Sequence, residues 1–132
     1  MDRIFLDANV LFSAAYRADA GLSAFWRLRG VVLCSSRYAI EVARLNLEEE
    51  GQRHGLAKLA AALEVFEAGE EGFPAGVALP EKDRPILLAA IAAGASHLVT
   101  GDARHFGAYF GKKLAGIRVM TPAGYLRTGT RS

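Results

Sequence analysis

Three aspartates in this sequence stand where an apolar element begins or ends. Asp7 follows the apolar run at residues 4–6, and Asp102 follows the apolar run at residues 97–99. Asp83 precedes a long apolar stretch at residues 86–93. In open parallel sheets, ligands bind outside the carboxyl ends of the strands. Asp7 and Asp102 are therefore candidates for one site, on the condition that their strands are neighbours.

Carboxylates that meet in a crevice repel one another, by roughly 1–3 kcal/mol for a pair about 5 Å apart. This repulsion raises their pKa values or destabilises the fold. A divalent cation offsets it, and a set of oxygen ligands favours Mg²⁺ or Mn²⁺ over zinc. Such an ion lowers the pKa of a bound water and neutralises charge on a phosphate. If the aspartates converge, the chemistry they suit is phosphodiester hydrolysis.

The segment from Asp83 to Asp102 predicts a helix, a tight turn and a buried strand. Asp83 is a good N-cap, Pro85 falls in the first helical turn, and Gly94 is typical of the position after a helix. A helix that leads directly into a buried strand is half of a βαβ unit. The sequence therefore predicts an α/β fold with a parallel sheet.

Apolar periodicity predicts the remaining elements along the chain. Further strands are expected at residues 31–34, 76–79 and 116–120. Further helices are expected at residues 10–16, 21–29, 37–50 and 53–68, with short ones after Asp102 and from Pro122. Phe25 and Trp26 could stack on bases or form a dimer face, but their helical spacing favours packing.

The chain of 132 residues predicts one domain spanning 1–132, with one hydrophobic core. Its net charge of +2 permits an anionic partner without requiring one. The single cysteine, Cys34, lies in an apolar run and excludes an internal disulfide. The start of the sequence lacks a signal-peptide pattern, and no apolar run is long enough to span a membrane. We therefore expect a cytoplasmic protein.

Four segments carry a resemblance to a known family. They are Asp7-Ala-Asn-Val-Leu-Phe-Ser-Ala, Ser36-Arg-Tyr-Ala-Ile-Glu-Val, the stretch from Lys82 to Ala95, and Leu98-Val-Thr-Gly-Asp-Ala-Arg-His-Phe. Together they span nearly the whole chain, and the last two are the most specific. The sequence resembles the PIN domain family, and within it the small prokaryotic toxins of the VapC type.

The resemblance implies a three-layer α/β/α sandwich around a parallel sheet of four to five strands. It also implies that the strand before Asp7 is adjacent to the strand before Asp102. The implied activity is that of a Mg²⁺- or Mn²⁺-dependent endoribonuclease, the toxin of a toxin–antitoxin pair. The implied partners are RNA, a cognate antitoxin and a second copy of the chain. The implied catalytic and metal-binding residues are Asp7, Glu41, Asp83 and Asp102, with Asn9 and Thr100 as supporting polar residues.

Glu41 becomes a candidate only through this resemblance, because its position beside Ile40 on a helix is otherwise typical of a surface charge. The sequence departs from the family after Asp102, where many toxins carry a further acid and this chain has Arg104-His105-Phe106. Arg84, Arg104 and His105 are candidate phosphate contacts. Further basic residues that could follow an RNA backbone are Arg37, Lys112 and Lys113.

Two other functions fit part of the pattern. A PIN-like module could bind a metal or a basic partner without catalysis. A phosphatase that forms an aspartyl phosphate would also place its nucleophile after the first strand. That mechanism expects an aspartate two residues later, where this chain has Asn9, and a later lysine that is not evident.

Overall fold

A six-stranded sheet forms the centre of the computed structural model, which describes residues 1–17, 21–67 and 72–129. The strands are β1 (Asp2–Leu6), β2 (Val31–Ser36), β3 (Glu64–Phe66), β4 (His97–Val99), β5 (Lys113–Leu114) and β6 (Ile117–Met120). Their order across the sheet is β3-β2-β1-β4-β6-β5. All neighbouring strands are parallel except the β5–β6 pair, which is antiparallel.

Six α-helices accompany the sheet in the described part of the chain. They are α1 (Ala8–Tyr16), α2 (Arg37–Asn46), α3 (Glu50–Ala61), α4 (Arg84–Ala92), α5 (Ala103–Phe106) and α6 (Pro122–Gly129). Short 3₁₀ helices cover Gly21–Arg27, Glu81–Asp83 and Gly107–Tyr109. Helix α1 packs against α2 and α3, while α4 packs against β2. None of the helices described is long and apolar enough to cross a membrane.

Strand β1 is central because both of its edges are paired. It pairs with β2 from Asp2 to Phe5 and with β4 from Ile4 to Leu6. The side chains of Ile4, Phe5 and Leu6 are fully buried, as a strand covered on both faces requires. The carboxyl ends of β1 and β4 therefore lie side by side, which is the condition that a shared site for Asp7 and Asp102 requires.

The parallel part of the sheet has the five strands expected, and the two-residue strand β5 adds a sixth. The expected strands at residues 31–34, 97–100 and 116–120 are confirmed within two residues. Helix α4 also agrees, and Gly94 follows it with a φ of 63°, a conformation that favours glycine.

Three expectations about elements are wrong. The helix expected at residues 53–68 ends at Ala61, Glu64–Phe66 form strand β3, and Ala68 lies outside the described residues. The helix expected to reach residue 50 ends at Asn46, and α3 begins separately at Glu50. Residues 76–79 form no strand.

Phe25 is completely buried, and the indole N–H of Trp26 donates to the Leu59 carbonyl at 3.0 Å. Phe25 thus packs in the core and the partly buried Trp26 packs against it, as the helical spacing favoured.

Candidate metal centre

Asp7 lies at the end of β1 and is only 4% exposed. Its Oδ1 accepts a hydrogen bond from the Ala8 N–H at 2.7 Å, which caps helix α1. Its Oδ2 accepts from the Thr100 hydroxyl at 2.8 Å and from the Asn9 amide at 3.3 Å. The carboxylate of Asp7 therefore both caps α1 and lies in the candidate site, and hydrogen bonds hold both of its oxygens in place.

Asn9 and Thr100 join the ends of β1 and β4. The Asn9 Nδ2 also donates to Thr100 Oγ1 at 3.2 Å, and Asn9 Oδ1 accepts from the Gly101 N–H at 2.8 Å. A Cβ at position 101 would lie 3.3 Å from Asn9 Oδ1, so glycine permits this close approach. The Asp102 N–H donates to Thr100 Oγ1 at 3.1 Å. These bonds fix Asp102 relative to Asp7.

Asp83 ends a 3₁₀ turn at the start of α4 and is 8% exposed. It occupies the N-cap position, but its side chain makes no capping hydrogen bond. The role expected for its side chain at the helix end is therefore wrong. The Tyr38 hydroxyl, from α2, donates to the Lys82 carbonyl at 2.8 Å and so ties this turn to α2. The carboxylate of Asp83 faces His105 and not the first turn of α4.

His105 lies between the carboxylates of Asp83 and Asp102. Its Nδ1 is 2.9 Å from Asp83 Oδ2 and 2.7 Å from Asp102 Oδ2. The other oxygen of Asp102 accepts from the His105 N–H at 3.1 Å and caps α5. The ligand atoms of these three residues all lie within 4.8 Å of one another.

A cavity of about 410 Å³ opens over the two aspartates of this group. Asp7, Asp83 and Asp102 all line it, although they come from three distant parts of the sequence. The other lining residues are Ala8, Asn9, Phe12, Tyr38, Val42, Ala43, Asn46, Lys82 and Ile86. The cavity thus has carboxylates, apolar side chains, one tyrosine and one lysine in its wall.

The electrostatics of this wall resist full ionisation. Burial raises the pKa of Asp7, hydrogen bonds from Thr100 and Ala8 counter this, and the charges of Asp83 and Asp102 raise it further. Burial also raises the pKa of Asp83, where His105 opposes the shift and Asp102 adds to it. Burial and the charges of neighbouring aspartates therefore both disfavour the ionised forms of Asp7 and Asp83.

Glu41 stands apart from these residues. It is exposed on α2 and does not line the cavity, although Tyr38 and Val42 of the same helix do. Its carboxylate accepts two hydrogen bonds from the Arg44 guanidinium, one of them at 3.0 Å. These bonds lower the pKa of Glu41.

The candidate phosphate contacts have different surroundings. Arg84 and Arg104 are exposed, and the Arg84 guanidinium lies 4.1 Å from the ring centroid of Phe73. Arg37 forms an ion pair with Glu67 at 2.9 Å. Lys112 and Lys113 are exposed beside and in strand β5.

Sequence reasoning missed two features of the site. Lys82 and Tyr38 line the cavity without having been candidates, although both lie in segments that carry the resemblance. His105 was expected to contact phosphate, but its ring faces two carboxylates. A sequence signal for this existed, because residues three apart on a helical turn share a face and His105 follows Asp102 by three.

No family model and no curated protein matches the chain. Solved structures do. The chain is similar to one in VapBC2 from Rickettsia felis bound to a promoter DNA fragment, with a TM-score of 0.64 and 16% identity over 90% of this chain and 98% of that one. It is similar to one in VapBC-1 from nontypeable Haemophilus influenzae, with a TM-score of 0.62 and 14% identity over 92% and 98%. It is also similar to one in FitAcB from Neisseria gonorrhoeae, with a TM-score of 0.53 and 20% identity over 91% and 98%.

At these levels of identity the likeness is one of fold. The mostly parallel sheet and its flanking helices confirm the α/β PIN-like architecture that the sequence resembles. The resemblance to VapC-type proteins is thus confirmed at the level of the fold. Activity, metal and substrate have to be argued from the residues of this chain.

Proposed function

We propose that this chain is a metal-dependent endoribonuclease of the VapC type. The observation that carries the proposal is the convergence of Asp7, Asp83 and Asp102 on one cavity at the carboxyl edge of the sheet. The neighbouring strands β1 and β4 supply two of these residues, and the turn before α4 supplies the third. Such a group of carboxylates suits binding of a divalent cation and hydrolysis of a phosphodiester bond.

The residues fit a divalent cation. Asp83 Oδ2 is buried and has no hydrogen-bond partner in the described part of the chain. A buried, unpaired carboxylate oxygen is costly unless a ligand satisfies it. Burial first, and the charges of neighbouring aspartates second, raise the pKa values of Asp7 and Asp83, so a bound cation would stabilise their ionised forms. Mg²⁺ or Mn²⁺ would be held by Asp7, Asp83 and Asp102, and when bound supplies an activated water and neutralises charge on the phosphate.

The side chains around the carboxylates divide the work among them. Thr100 and Asn9 hold Asp7 in one orientation, so that this carboxylate is positioned before any ligand arrives. Asp102 is held by the hydroxyl of Thr100 through its own N–H. This preorganisation lowers the cost of bringing the oxygens together.

Glu41 serves as the fourth acid in this proposal, although its carboxylate pairs with Arg44. Tyr38 and Val42 of the same helix line the cavity, and Glu41 lies between them in sequence without lining it. Exposed ion pairs contribute little to stability. Breaking the Glu41–Arg44 ion pair, so that Glu41 can turn towards a bound metal, therefore costs little free energy.

RNA is the proposed substrate, because the cavity wall combines aromatic and apolar side chains with Lys82. Proteins that read unpaired nucleotides stack the bases on aromatic side chains and contact phosphates with basic ones. Tyr38 and Phe12 offer the aromatic surface, while Lys82, Arg84 and Arg104 are the basic residues nearest to the site in sequence. A single-stranded segment or a loop suits this arrangement better than a duplex.

A cognate antitoxin is the proposed protein partner. The chains with the same fold belong to VapBC and FitAB assemblies, two of which contain DNA. We propose that this chain is likewise part of a toxin–antitoxin pair and that it forms a homodimer. Tyr16 and Leu45 are large apolar side chains left more than half exposed, and they are available for such contacts.

RNA cleavage by purified protein tests the proposal. We expect cleavage with Mn²⁺ or Mg²⁺, none after chelation, and recovery when the metal is restored. Asp102→Asn should cut at least about 100-fold more slowly, since a metal site contributes several kcal/mol to catalysis. The matched control is Asp2→Asn, which alters an aspartate at the amino end of strand β1, away from the cavity. Equal cleavage by Asp102→Asn and the parent would contradict the proposal.

A non-catalytic PIN-like module is the second candidate, because Glu41 lies outside the cavity wall. In that case metal binding would persist while RNA remained intact under all metal conditions. The same assay therefore separates the two functions when it is run beside a direct measurement of metal binding.

A further inference from the structure

The position of His105 goes beyond what a carboxylate-only metal site explains. Its imidazole is mostly buried, with 19% of the side chain exposed, and its Nδ1 is close to oxygens of both Asp83 and Asp102. The bond from the His105 N–H to Asp102 Oδ1 fixes the backbone, and Asp102 Oδ2 faces the ring. One oxygen of Asp102 thus accepts from the His105 backbone N–H, and the other lies 2.7 Å from the ring Nδ1.

Neither contact of Nδ1 is a directed hydrogen bond. Within the described residues, Nδ1 of His105 and Oδ2 of Asp83 are buried and without a hydrogen-bond partner, in spite of separations of 2.7 and 2.9 Å. A ring N–H that bonded to one of these oxygens would point at it. Neither approach meets hydrogen-bond geometry in spite of its short distance, so directed hydrogen bonding does not account for the arrangement.

The separations match those between ligands of one metal ion. In an octahedral site with bonds of about 2.1 Å, adjacent ligand atoms lie about 3 Å apart, and each ligand points at the ion and not at its neighbour. Nδ1 is at such a distance from each of the two oxygens, and all three atoms lie within 4.8 Å of one another. Asp83, which is 8% exposed, contributes the unpaired buried oxygen.

We propose that His105 is a metal ligand through Nδ1, and that it makes the site select Mn²⁺ over Mg²⁺. Imidazole nitrogen suits first-row transition ions, whereas Mg²⁺ prefers oxygen ligands and retains its waters. The inference rests on the metal-binding part of the proposed function and specifies which ion the site takes. It also requires the neutral ring with its proton on Nε2, because a ligating nitrogen must carry a lone pair.

The main competing role for His105 is that of a fixed positive charge between the two carboxylates. The two roles have opposite consequences for metal affinity. Removal of a ligand weakens binding of Mn²⁺, whereas removal of a competing positive charge strengthens binding of every divalent cation.

The experiment measures metal binding without RNA, using tag-free full-length protein. Calorimetric titrations with Mn²⁺ and with Mg²⁺ are compared for the parent, His105→Ala and the control His54→Ala, which removes an exposed histidine of α3. We expect His105→Ala to lose about 10- to 100-fold in Mn²⁺ affinity, in the range that changes around metal ligands produce. Its Mg²⁺ affinity should change less than about threefold, and His54→Ala should match the parent.

Pulsed electron paramagnetic resonance of the Mn²⁺-loaded parent gives a readout that needs no variant. We expect modulation from a directly bound nitrogen, which is retained in His54→Ala and lost in His105→Ala. Mn²⁺ bound without nitrogen modulation would overturn the role of His105 and leave the ribonuclease proposal standing. An equal loss for both ions, or tighter binding by His105→Ala, would also overturn it. A parent that binds neither ion would overturn both proposals.

Discussion

The two ends of the central sheet both carry polar side chains, but the carboxyl end buries two polar atoms that have no hydrogen-bond partner among the described residues. At the amino end, the Tyr125 hydroxyl donates to Asp2 at 2.6 Å, and the Arg3 N–H donates to the Ser96 hydroxyl at 2.9 Å. The Arg3 guanidinium bonds to the Ala93 carbonyl and to Glu64. Every one of these groups has a partner within the protein.

At the carboxyl end, side chains of the same types do not all have hydrogen-bond partners among the described residues. Asp7 is fully bonded through Thr100 and Asn9, but Asp83 Oδ2 and His105 Nδ1 are buried without hydrogen-bond partners among the described residues. Both ends also place a histidine near aspartate, since His97 Nδ1 lies 3.9 Å from Asp2. Residue type therefore does not distinguish a structural network from a candidate site, whereas the completeness of the bonding does.

The largest effect that separates the two ends is expected from replacing an aspartate at each. Asp7→Asn should slow RNA cleavage at least about 100-fold, because it removes a charged ligand from the proposed metal site. Asp2→Asn keeps an acceptor for Tyr125 and should cleave within about twofold of the parent. Rates are measured under single-turnover conditions with Mn²⁺. Similar losses for both variants would mean that the carboxyl end has no special role.

A smaller effect is expected for stability at the amino end. Tyr125→Phe removes the hydroxyl that donates to Asp2, and Tyr125 is 2% exposed. The loss should be about 1–2 kcal/mol of the free energy of unfolding, as for a hydrogen bond to a partly exposed charge. Urea denaturation of metal-free protein measures it. The Mn²⁺ affinity should be unchanged, and a reduced affinity would show that the two ends are coupled.

The pH dependence of stability gives a more modest contrast. Burial lowers the pKa of His97 in the folded protein, against the attraction of Asp2. Below an unfolded pKa of about 6.5, the unfolded chain binds the proton before the folded protein does, so stability is lost as the pH falls.

Between about pH 7 and pH 5, the parent should therefore lose more stability than His97→Gln, whose side chain does not titrate. Denaturation in the presence of a chelator keeps both proteins free of metal, so that metal binding does not contribute to the difference. Parallel pH profiles for the two proteins would contradict the expected role of His97.

The smallest effect is expected at Arg44, whose guanidinium pairs with Glu41 outside the cavity wall. Because both side chains are exposed, Arg44→Ala should change the melting temperature by less than about 2 °C. If Glu41 joins the metal site as proposed, the variant should bind Mn²⁺ at least as tightly as the parent. Weaker binding would assign Arg44 itself a role at the site.

The sequence was most informative where local chemistry and tertiary structure agree. The apolar runs before Asp7 and Asp102 predicted two strands, and the caps around α4 predicted its limits. Adjacency of the two strands is a long-range property, and it followed only from the resemblance to PIN domains. The convergence of Asp7 and Asp102 was therefore a conditional prediction until the pairing of β1 with β4 was known.

Predictions failed where short elements depend on their neighbours. Leu63 and Phe66 continue the helical spacing of α3, but residues 64–66 form a strand because the edge of β2 is available to pair with them. The position of Asp83 was predicted, whereas the direction of its side chain was not, since an N-cap and a cavity ligand have the same sequence pattern. The side chain of Glu41 pairs with Arg44 on the same helix. The sequence around Glu41 does not show whether its carboxylate bonds to Arg44 or joins the cluster of aspartates.

The central position of β1 has a consequence for synthesis of the protein. Its residues are translated before those of both neighbours, and its pairing with β4 joins Leu6 to Val99, far along the sequence. Asp102 and His105 follow still later, so a nascent chain or a prematurely released fragment carries Asp7 without the residues that complete the cluster. Such long-range pairing also forms slowly. The cluster at the carboxyl end of the sheet is therefore assembled only after all the residues from Asp7 to His105 have been translated.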